Sequence, residues 1–231
     1  SGTVRRRLKL GERIWIGHTP LTVLHPPDPP LQRSPRGAAS DENNNSLVLR
    51  LDWGLASFLF TGDLEQEGEG ALLAGRQPLS HLVLKVAHHG SRFSTTEEFL
   101  KAGRPRLAVI SAGARNPFRH PTPDVIERLE NAGVRIFRTD RDGAVIFETD
   151  GRTLTVTRWA SRQTERFDLD REPQAAGEAG QSLSGNFLPS VEPGMARGAG
   201  SSSFHPVTGT LQTSGEACDL SEIFPPSPAS A

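Results

Sequence analysis

Three short stretches of the sequence carry side chains that could do chemistry. They are Thr61-Gly62-Asp63, Ala87-His88-His89-Gly90-Ser91 and Asn116-Pro117-Phe118-Arg119-His120. Carboxylates and imidazoles are ligands that zinc and related divalent ions take in proteins, and histidine also transfers protons. Each stretch follows an apolar, strand-like segment, so all three can lie at strand ends, where ligand sites cluster. The stretches therefore predict a metal site.

Asp63 closes the first of these stretches. It ends the apolar run Phe-Leu-Phe-Thr-Gly-Asp, and Gly62 allows a close approach of the backbone there. A carboxylate in this position could bridge two divalent ions. The alternative is that Asp63 caps the next helix, with Leu64 and Glu65 in its first turn.

His88 and His89 follow an apolar run that reads as a buried strand. In a regular strand the two rings would face opposite sides, but Gly90 favours a turn at this point. We place His88 with the metal ligands and His89 with the catalytic residues, as proton donor or substrate contact. The sequence does not decide which of the two binds metal, and a structural histidine near a helix cap is the alternative.

His120 follows the next predicted strand, with Asn116 and two arginines beside it. A third histidine at a neighbouring strand end could complete the ligand set or polarise a phosphoryl oxygen. Arg115 and Arg119 could hold phosphate, and we place Asn116 and Arg119 with the catalytic residues. The alternative is a loop histidine before a helix that begins with proline.

The elements that must position these residues alternate between strand and helix patterns. Strands are predicted at 13–16, 21–24, 47–51, 57–61, 82–86, 107–111, 134–138, 144–148 and 154–157. Helices are predicted at 65–74, from a Ser94 or Thr95 cap to Gly103, and from Thr122 to Gly133. This alternation predicts a layered α/β fold.

Composition divides the chain into three parts. Residues 1–42 are predicted to form edge strands and a polar loop, and residues 43–160 hold the globular part. Residues 161–231 are predicted to be a disordered low-complexity tail, because Gly, Ser, Pro and Ala dominate its length without a sustained period.

Charge and cysteine content exclude several classes of protein. The net charge is −1, so no global field attracts nucleic acid or anionic membrane. Residues 92–142 hold ten basic and seven acidic side chains, a local charge of +3 that tolerates a phosphate-bearing substrate. The single cysteine, Cys218, excludes an internal disulfide framework. No apolar run of about 18 residues occurs, so the chain is predicted to be soluble. The sequence begins within a charged segment and without Met, which suggests that it is a fragment.

The ordered set of motifs resembles a known family. These are Asn-Asn-Asn-Ser-Leu-Val-Leu, Phe-Thr-Gly-Asp-Leu-Glu, Leu-Lys-Val-Ala-His-His-Gly-Ser, and Ala-Val-Ile-Ser-Ala-Gly followed by Asn and His-Pro. Between about residues 11 and 159, the chain resembles the C-terminal metallo-β-lactamase-like domain of ComEC-type competence proteins. Asp63 matches the bridging aspartate of that family, and His88, His89 and His120 match its later site histidines.

The resemblance implies a fold and a function. The implied fold is the C-terminal half of an αββα metallo-β-lactamase-like sandwich, followed by the disordered tail. The implied function is a two-metal nuclease with zinc or manganese, no small-molecule cofactor, and the DNA phosphate backbone as partner. The parent would be a bacterial inner-membrane protein whose membrane channel carries this domain outside the bilayer.

One departure from the family is large. The His-x-His/Asp-x-Asp-His motif, which supplies most ligands of the first metal in the family, does not occur in this sequence. We therefore expect half a site, with at most one weakly held metal and little or no hydrolysis by this fragment. Two alternatives remain open: a hydrolase of small phosphoesters, and a non-catalytic module that guides DNA through Arg92, Arg115 and Arg119.

Overall fold

The structure is a computed structural model of the 231-residue chain. It describes residues 6–32, 41–75 and 77–170, and two short paired strands further on. The strands are β1 (Arg13–Ile16), β2 (Thr19–His25), β3 (Val48–Trp53), β4 (Ala56–Phe60), β5 (Val83–Lys85), β6 (Leu107–Ile110), β7 (Arg135–Arg138), β8 (Val145–Thr149), β9 (Thr153–Arg158), β10 (Thr164–Asp168), β11 (Leu211–Thr213) and β12 (Glu216–Cys218). The helices are α1 (Asp41–Asn44), α2 (Gln66–Ala74), α3 (Glu97–Gly103), α4 (Pro123–Asn131) and α5 (Thr139–Asp142).

The main sheet contains β1 to β7 in the order of the sequence. Strands β1 to β4 are antiparallel neighbours, whereas β4, β5, β6 and β7 run parallel to one another. Helices α2, α3 and α4 connect the parallel strands. Because parallel strands end at the same edge of a sheet, the segments that follow β4, β5 and β6 are brought together.

The helices pack on one face of the main sheet. Leu84 of β5 and Ile110 of β6 are fully buried there against Leu72, Phe99 and Leu129, which come one from each of the three connecting helices. This core fixes the helix layer over the parallel strands.

The other face of the main sheet packs on a smaller antiparallel sheet of order β10-β9-β8. Val83 and Leu107 contact Leu154 and Val156 of β9 in a second buried cluster. Since alternate residues of β5 and β6 enter opposite cores, these strands are apolar on both faces. This double burial explains the nearly continuous apolar runs in the sequence.

The mixed α/β class is confirmed, with a helix layer, a large sheet and a small sheet. The predicted strands are all present within a few residues of their expected bounds. The specific αββα metallo-β-lactamase-like sandwich stays a prediction. Among the described residues, no helix is long and apolar enough to cross a membrane.

The boundary at residue 160 was placed too early. Strand β10 lies within the range predicted to be a disordered tail, and it pairs along β9 from Thr164 to Asp168. Its residues alternate between exposed and half-buried, and Phe167 packs into the core between the sheets. Most of the remaining predicted tail, residues 171–210 and 219–231, lies outside the described residues.

Two local predictions also differ from the structure. The short helix α1 begins at the end of the stretch predicted to be a polar loop. Thr96, and not Ser94 or Thr95, caps α3, because its side chain accepts a hydrogen bond from the amide of Phe99. The hydroxyl of Ser94 instead donates to the carbonyls of Ala87 and Ser91.

Candidate active site

The ends of three parallel strands bring together the predicted metal and proton-transfer residues. Asp63 follows β4, His88 and His89 follow β5, and His120 lies in the loop after β6. Nε2 of His89 lies 3.9 Å from Oδ1 of Asp63. The ring centres of His88 and His120 are 5.7 Å apart, and those of His88 and His89 are 6.4 Å apart. We call these four residues the histidine cluster.

The two adjacent histidines adopt an unusual backbone conformation. His88 has φ 45° and ψ 45°, and His89 has φ 55° and ψ 19°, within a 3₁₀ turn over Ala87–Gly90. The left-handed region costs a residue with a side chain roughly 1–2 kcal/mol. The amide of His88 donates to the carbonyl of Gly62, 3.1 Å away, which ties this turn to the segment of Asp63. The turn allows both rings to reach the same cluster, as two neighbours in a regular strand could not.

His88 is held by a buried carboxylate. Oε1 of Glu65 lies 3.0 Å from Nδ1 of His88. The amide nitrogen of Asn43 donates to the same carboxylate oxygen at 3.0 Å. Histidines that bind metal commonly use their second nitrogen in this way. With Nδ1 engaged, Nε2 is the nitrogen that His88 offers to a ligand.

Glu65 is a functional candidate that sequence reasoning missed. The sequence places it in the first turn of a helix, whereas the structure places it just before α2. Its partner His88 lies 23 positions further along the chain. The only signal was its position two residues after Asp63, and a contact over this separation has no local pattern.

His89 is also held through its Nδ1 atom, but its side chain is more exposed to solvent than that of His88. Its Nδ1 lies 2.7 Å from the carbonyl oxygen of Ser111. Its other nitrogen, Nε2, is the one that faces Asp63. The side chains of His89 and Asp63 are 51% and 46% exposed, compared with 26% for His88. Solvent therefore reaches the side chains of His89 and Asp63 more readily than that of His88. Because both rings engage the protein through Nδ1, the choice of metal ligand between them stays open.

The run Asn43-Asn44-Asn45-Ser46 forms hydrogen bonds to the segments on either side of Glu65. The side-chain oxygen of Asn44 accepts from the amide of Gly68 at 2.9 Å, inside the protein. The hydroxyl of Ser46 accepts from the amide of Asp63 at 3.1 Å, and its carbonyl oxygen lies 2.9 Å from Nδ1 of His25. These side chains contact other protein groups, so the run positions Asp63 and the start of α2.

Asn116 closes the loop that carries His120. Its side-chain nitrogen donates to the carbonyls of Gly113 and His120, at 2.7 and 2.8 Å. Its side-chain oxygen accepts from the amide of His120, at 2.8 Å. Arg119, which is exposed and has a φ of 57°, lies within this closed loop. The structure thus shows Asn116 holding His120, while the catalytic assignments of Asn116 and Arg119 stay predictions.

The charges of the cluster act on one another. The pKa of His120 is lowered, first by burial and then by His88 and His89, while Asp63 opposes the shift. Burial also lowers the pKa of Lys85, and Asp63 again opposes the shift. A lowered pKa favours the neutral imidazole of His120, which is the form that binds a metal ion. Lys85 is a half-buried amine close to the carboxylate of the cluster.

The donor types fit a divalent ion only in part. One half-exposed carboxylate and imidazole nitrogens are ligands that zinc and manganese accept. Two of the imidazoles already carry the outer hydrogen bonds that metal ligands use. Within residues 6–32, 41–75 and 77–170, however, no three His, Cys, Asp or Glu side chains are arranged to hold a metal ion. The cluster therefore has the chemistry of a ligand set without its convergence.

Comparisons with known proteins identify several relatives of this chain. No protein-family model matches the chain. ComE operon protein 3 of Bacillus subtilis (strain 168) is 36% identical over 157 residues, which are 67% of this chain and 19% of that protein. Competence protein ComA of Neisseria gonorrhoeae is 42% identical over 109 residues, which are 46% of this chain and 16% of that protein.

A third relative is Recombination protein 2 of Haemophilus influenzae. It is 38% identical over 104 residues, which are 45% of this chain and 13% of that protein. The chain thus spans less than a fifth of the length of each of these curated relatives. These similarities support the predicted relationship to ComEC-type competence proteins.

Proposed function

We propose that this chain contributes part of a metal-dependent phosphodiesterase site that acts on DNA during competence-related uptake. The observation that carries the proposal is the histidine cluster, in which an aspartate and three histidines meet at the ends of parallel strands. The name of one relative, Competence protein ComA, refers to competence and favours DNA as the substrate.

Each residue of the cluster has a role in this proposal. Asp63, His88 and His120 would hold zinc or manganese, which would supply a Lewis acid that polarises a phosphoryl oxygen. His89, the most exposed of the paired histidines, protonates the leaving oxygen. Arg119 binds a phosphate oxygen of the substrate, and Asn116 holds the loop of His120 in place.

The partners follow from the same proposal. The DNA phosphate backbone binds at the open side of the cluster, where Asp63 and His89 are about half exposed. The chain matches less than a fifth of each of these relatives, so the proposal takes it as one part of a longer parent. The resemblance to ComEC-type proteins implies that this parent carries a membrane channel to which the domain is attached. The parent is a bacterial inner-membrane protein, and this domain lies outside the bilayer.

The test uses the protein expressed from the longest reading frame that encodes this chain. Purified protein is incubated with labelled single-stranded and double-stranded DNA, with manganese or zinc and with a chelator. We expect metal-dependent cleavage that Asp63→Ala abolishes. Glu148→Ala, which removes an exposed carboxylate on β8, serves as the control and should cleave normally. The proposal fails if the metal-loaded wild type leaves both forms of DNA intact.

A second candidate function is a non-catalytic module that guides DNA. It is favoured by the absence, in the described part of the chain, of three convergent metal ligands. In that case DNA binds to the loop arginines through its phosphates alone. Binding would then weaken steeply with salt and stay unchanged with chelator, and no cleavage would accompany it.

A further inference from the structure

Phe118 is an exposed aromatic ring beside the histidine cluster. It is 75% exposed, the highest value among the large apolar side chains that the structure describes as exposed. Its ring centre lies 6.0 Å from that of His120, and the two ring planes differ by 31°. A phenylalanine gains about 1.5–3 kcal/mol when it is fully buried, so a ligand that covered this ring would gain part of that free energy.

The loop holds Phe118 in this position. Asn116 bonds to both the amide and the carbonyl of His120 and to the carbonyl of Gly113, so the loop is closed on both sides of the ring. The amide of Arg119 also donates to the carbonyl of Asn116, at 3.3 Å. The ring is therefore presented to solvent by a hydrogen-bonded loop.

The neighbours of the ring favour an anionic, aromatic ligand. Arg115 and Arg119 lie in the same loop and are exposed. A ring beside an imidazole, in a loop that also carries two exposed arginines, suits a base attached to phosphates better than an apolar protein surface or a lipid tail. Proteins that bind single strands combine these elements, because each base offers a face to an aromatic ring and the backbone needs positive charge.

We propose that Phe118 stacks on an unpaired base of single-stranded DNA and so places the next phosphate against the histidine cluster. In a duplex the bases are stacked on one another and offer no free face to this ring. The ring therefore selects single strands over duplexes. This inference rests on the proposed function, since it takes the phosphodiester to bind at the cluster.

The test measures binding by the 231-residue chain, with chelator present, so that cleavage does not enter. The probes are a short fluorescein-labelled single strand, its duplex, and a single strand that contains 2-aminopurine, whose fluorescence falls on stacking. We expect Phe118→Ala to weaken single-strand binding about tenfold and to remove the fluorescence loss. Duplex binding should not change. Phe118→Trp should retain both properties, because indole also stacks.

Trp159→Ala is the control for the loss of an exposed aromatic ring. Trp159 is 51% exposed and lies next to β9 in the small-sheet region, so its removal should leave single-strand binding unchanged. Because Phe118 is exposed, its variants should fold as the wild type does, which circular dichroism and thermal unfolding would verify.

The outcomes separate this inference from the proposed function. If Phe118→Ala binds the single strand as tightly as the wild type, or weakens single-strand and duplex binding equally, base stacking is overturned. Cleavage by the longer protein would still support the phosphodiesterase in that case. If the wild-type chain binds the single strand no better than the duplex, the selection of single strands by this ring is overturned as well.

Discussion

Oε1 of Glu65 lies 3.0 Å from Nδ1 of His88, and Glu65 is only 5% exposed. When Nδ1 of His88 carries the proton, it donates a hydrogen bond to this carboxylate, and Nε2 then has a free electron pair for a ligand. Asn43 donates to the same carboxylate and so fixes its orientation. Glu65 is thereby a positioning residue that acts on the cluster through His88.

The first prediction concerns this pair. Glu65→Gln replaces one acceptor oxygen with a donor, so Nδ1 of His88 is no longer reliably protonated. We expect the affinity of the chain for zinc or manganese to fall about 10- to 100-fold, the usual effect of losing an outer hydrogen bond to a metal ligand. Isothermal titration calorimetry measures the affinity, and nitrogen-15 NMR reports the tautomer of His88.

Glu67→Gln is the matched control, because Glu67 is exposed on α2 close to Glu65. Glu65→Asp keeps the acceptor and should restore part of the affinity. An unchanged tautomer and an unchanged affinity in Glu65→Gln would show that Glu65 does not position His88.

The second prediction concerns Glu69, which joins α2 to the start of α3. Glu69 is 1% exposed, and its carboxylate accepts hydrogen bonds from the amides of Thr95 and Thr96 and from the hydroxyl of Thr96. Glu69→Gln turns one acceptor into a donor that faces other donors. We expect the free energy of unfolding to fall by about 1–3 kcal/mol, measured by urea denaturation.

Glu67→Gln again serves as the control, since a surface substitution changes the free energy of unfolding by about 0.5 kcal/mol or less. Equal unfolding midpoints for the Glu69 and Glu67 variants would contradict the role of Glu69 in joining the two helices.

The third prediction concerns the acid stability of the fold. His81 is 3% exposed and packs beside Phe99, and burial, the main cause, lowers its pKa to about 4. The ordinary histidine pKa is about 6.5, so the unfolded chain takes up a proton in a range where the folded chain does not. Stability is therefore full above pH 6.5 or so and falls as the pH drops toward 4. Over that window the loss should be about 3 kcal/mol.

The measurement compares the free energy of unfolding of the wild type with that of His81→Gln between these pH values. The variant lacks this titration, so its stability should depend less steeply on pH, whatever its stability at neutral pH. Parallel curves for the two proteins would show that His81 does not resist protonation in the folded state.

The fourth prediction concerns two glycines on the same helix. In α2 a methyl group at Gly68 would meet the side chain of Leu64 and lie 2.8 Å from the carbonyl oxygen of Asn44, whereas at Gly70 it would meet nothing within 4 Å. Gly70→Ala should stabilise the protein by about 1 kcal/mol, because alanine favours helix. Gly68→Ala should destabilise it, because α1 must move away. Thermal unfolding of the two variants measures both effects, and a change of the same sign in both would contradict the close approach of α1 to α2.

Most of the fold could be predicted from local patterns. The apolar runs before His88 and after Arg106 predicted buried strands, and both strands are buried on two faces. Thr122 and Pro123 predicted the start of α4, since proline fits the first turn of a helix. Strand β10 was missed because its residues are mostly polar, and its strand conformation depends on pairing with β9.

The sequence by itself determined which residues stand at the strand ends, because runs of apolar residues predict the strands and turn-forming residues predict where they end. Asp63, His88, His89 and His120 were identified in this way, and the structure brings them together. Only the tertiary structure decided that both adjacent histidines turn into one cluster, that Glu65 holds His88, and that Phe118 stays exposed beside His120. The first two features depend on left-handed backbone and on a contact between residues far apart in the chain, for which no local pattern exists. The exposure of Phe118 depends on which surface the rest of the fold leaves uncovered.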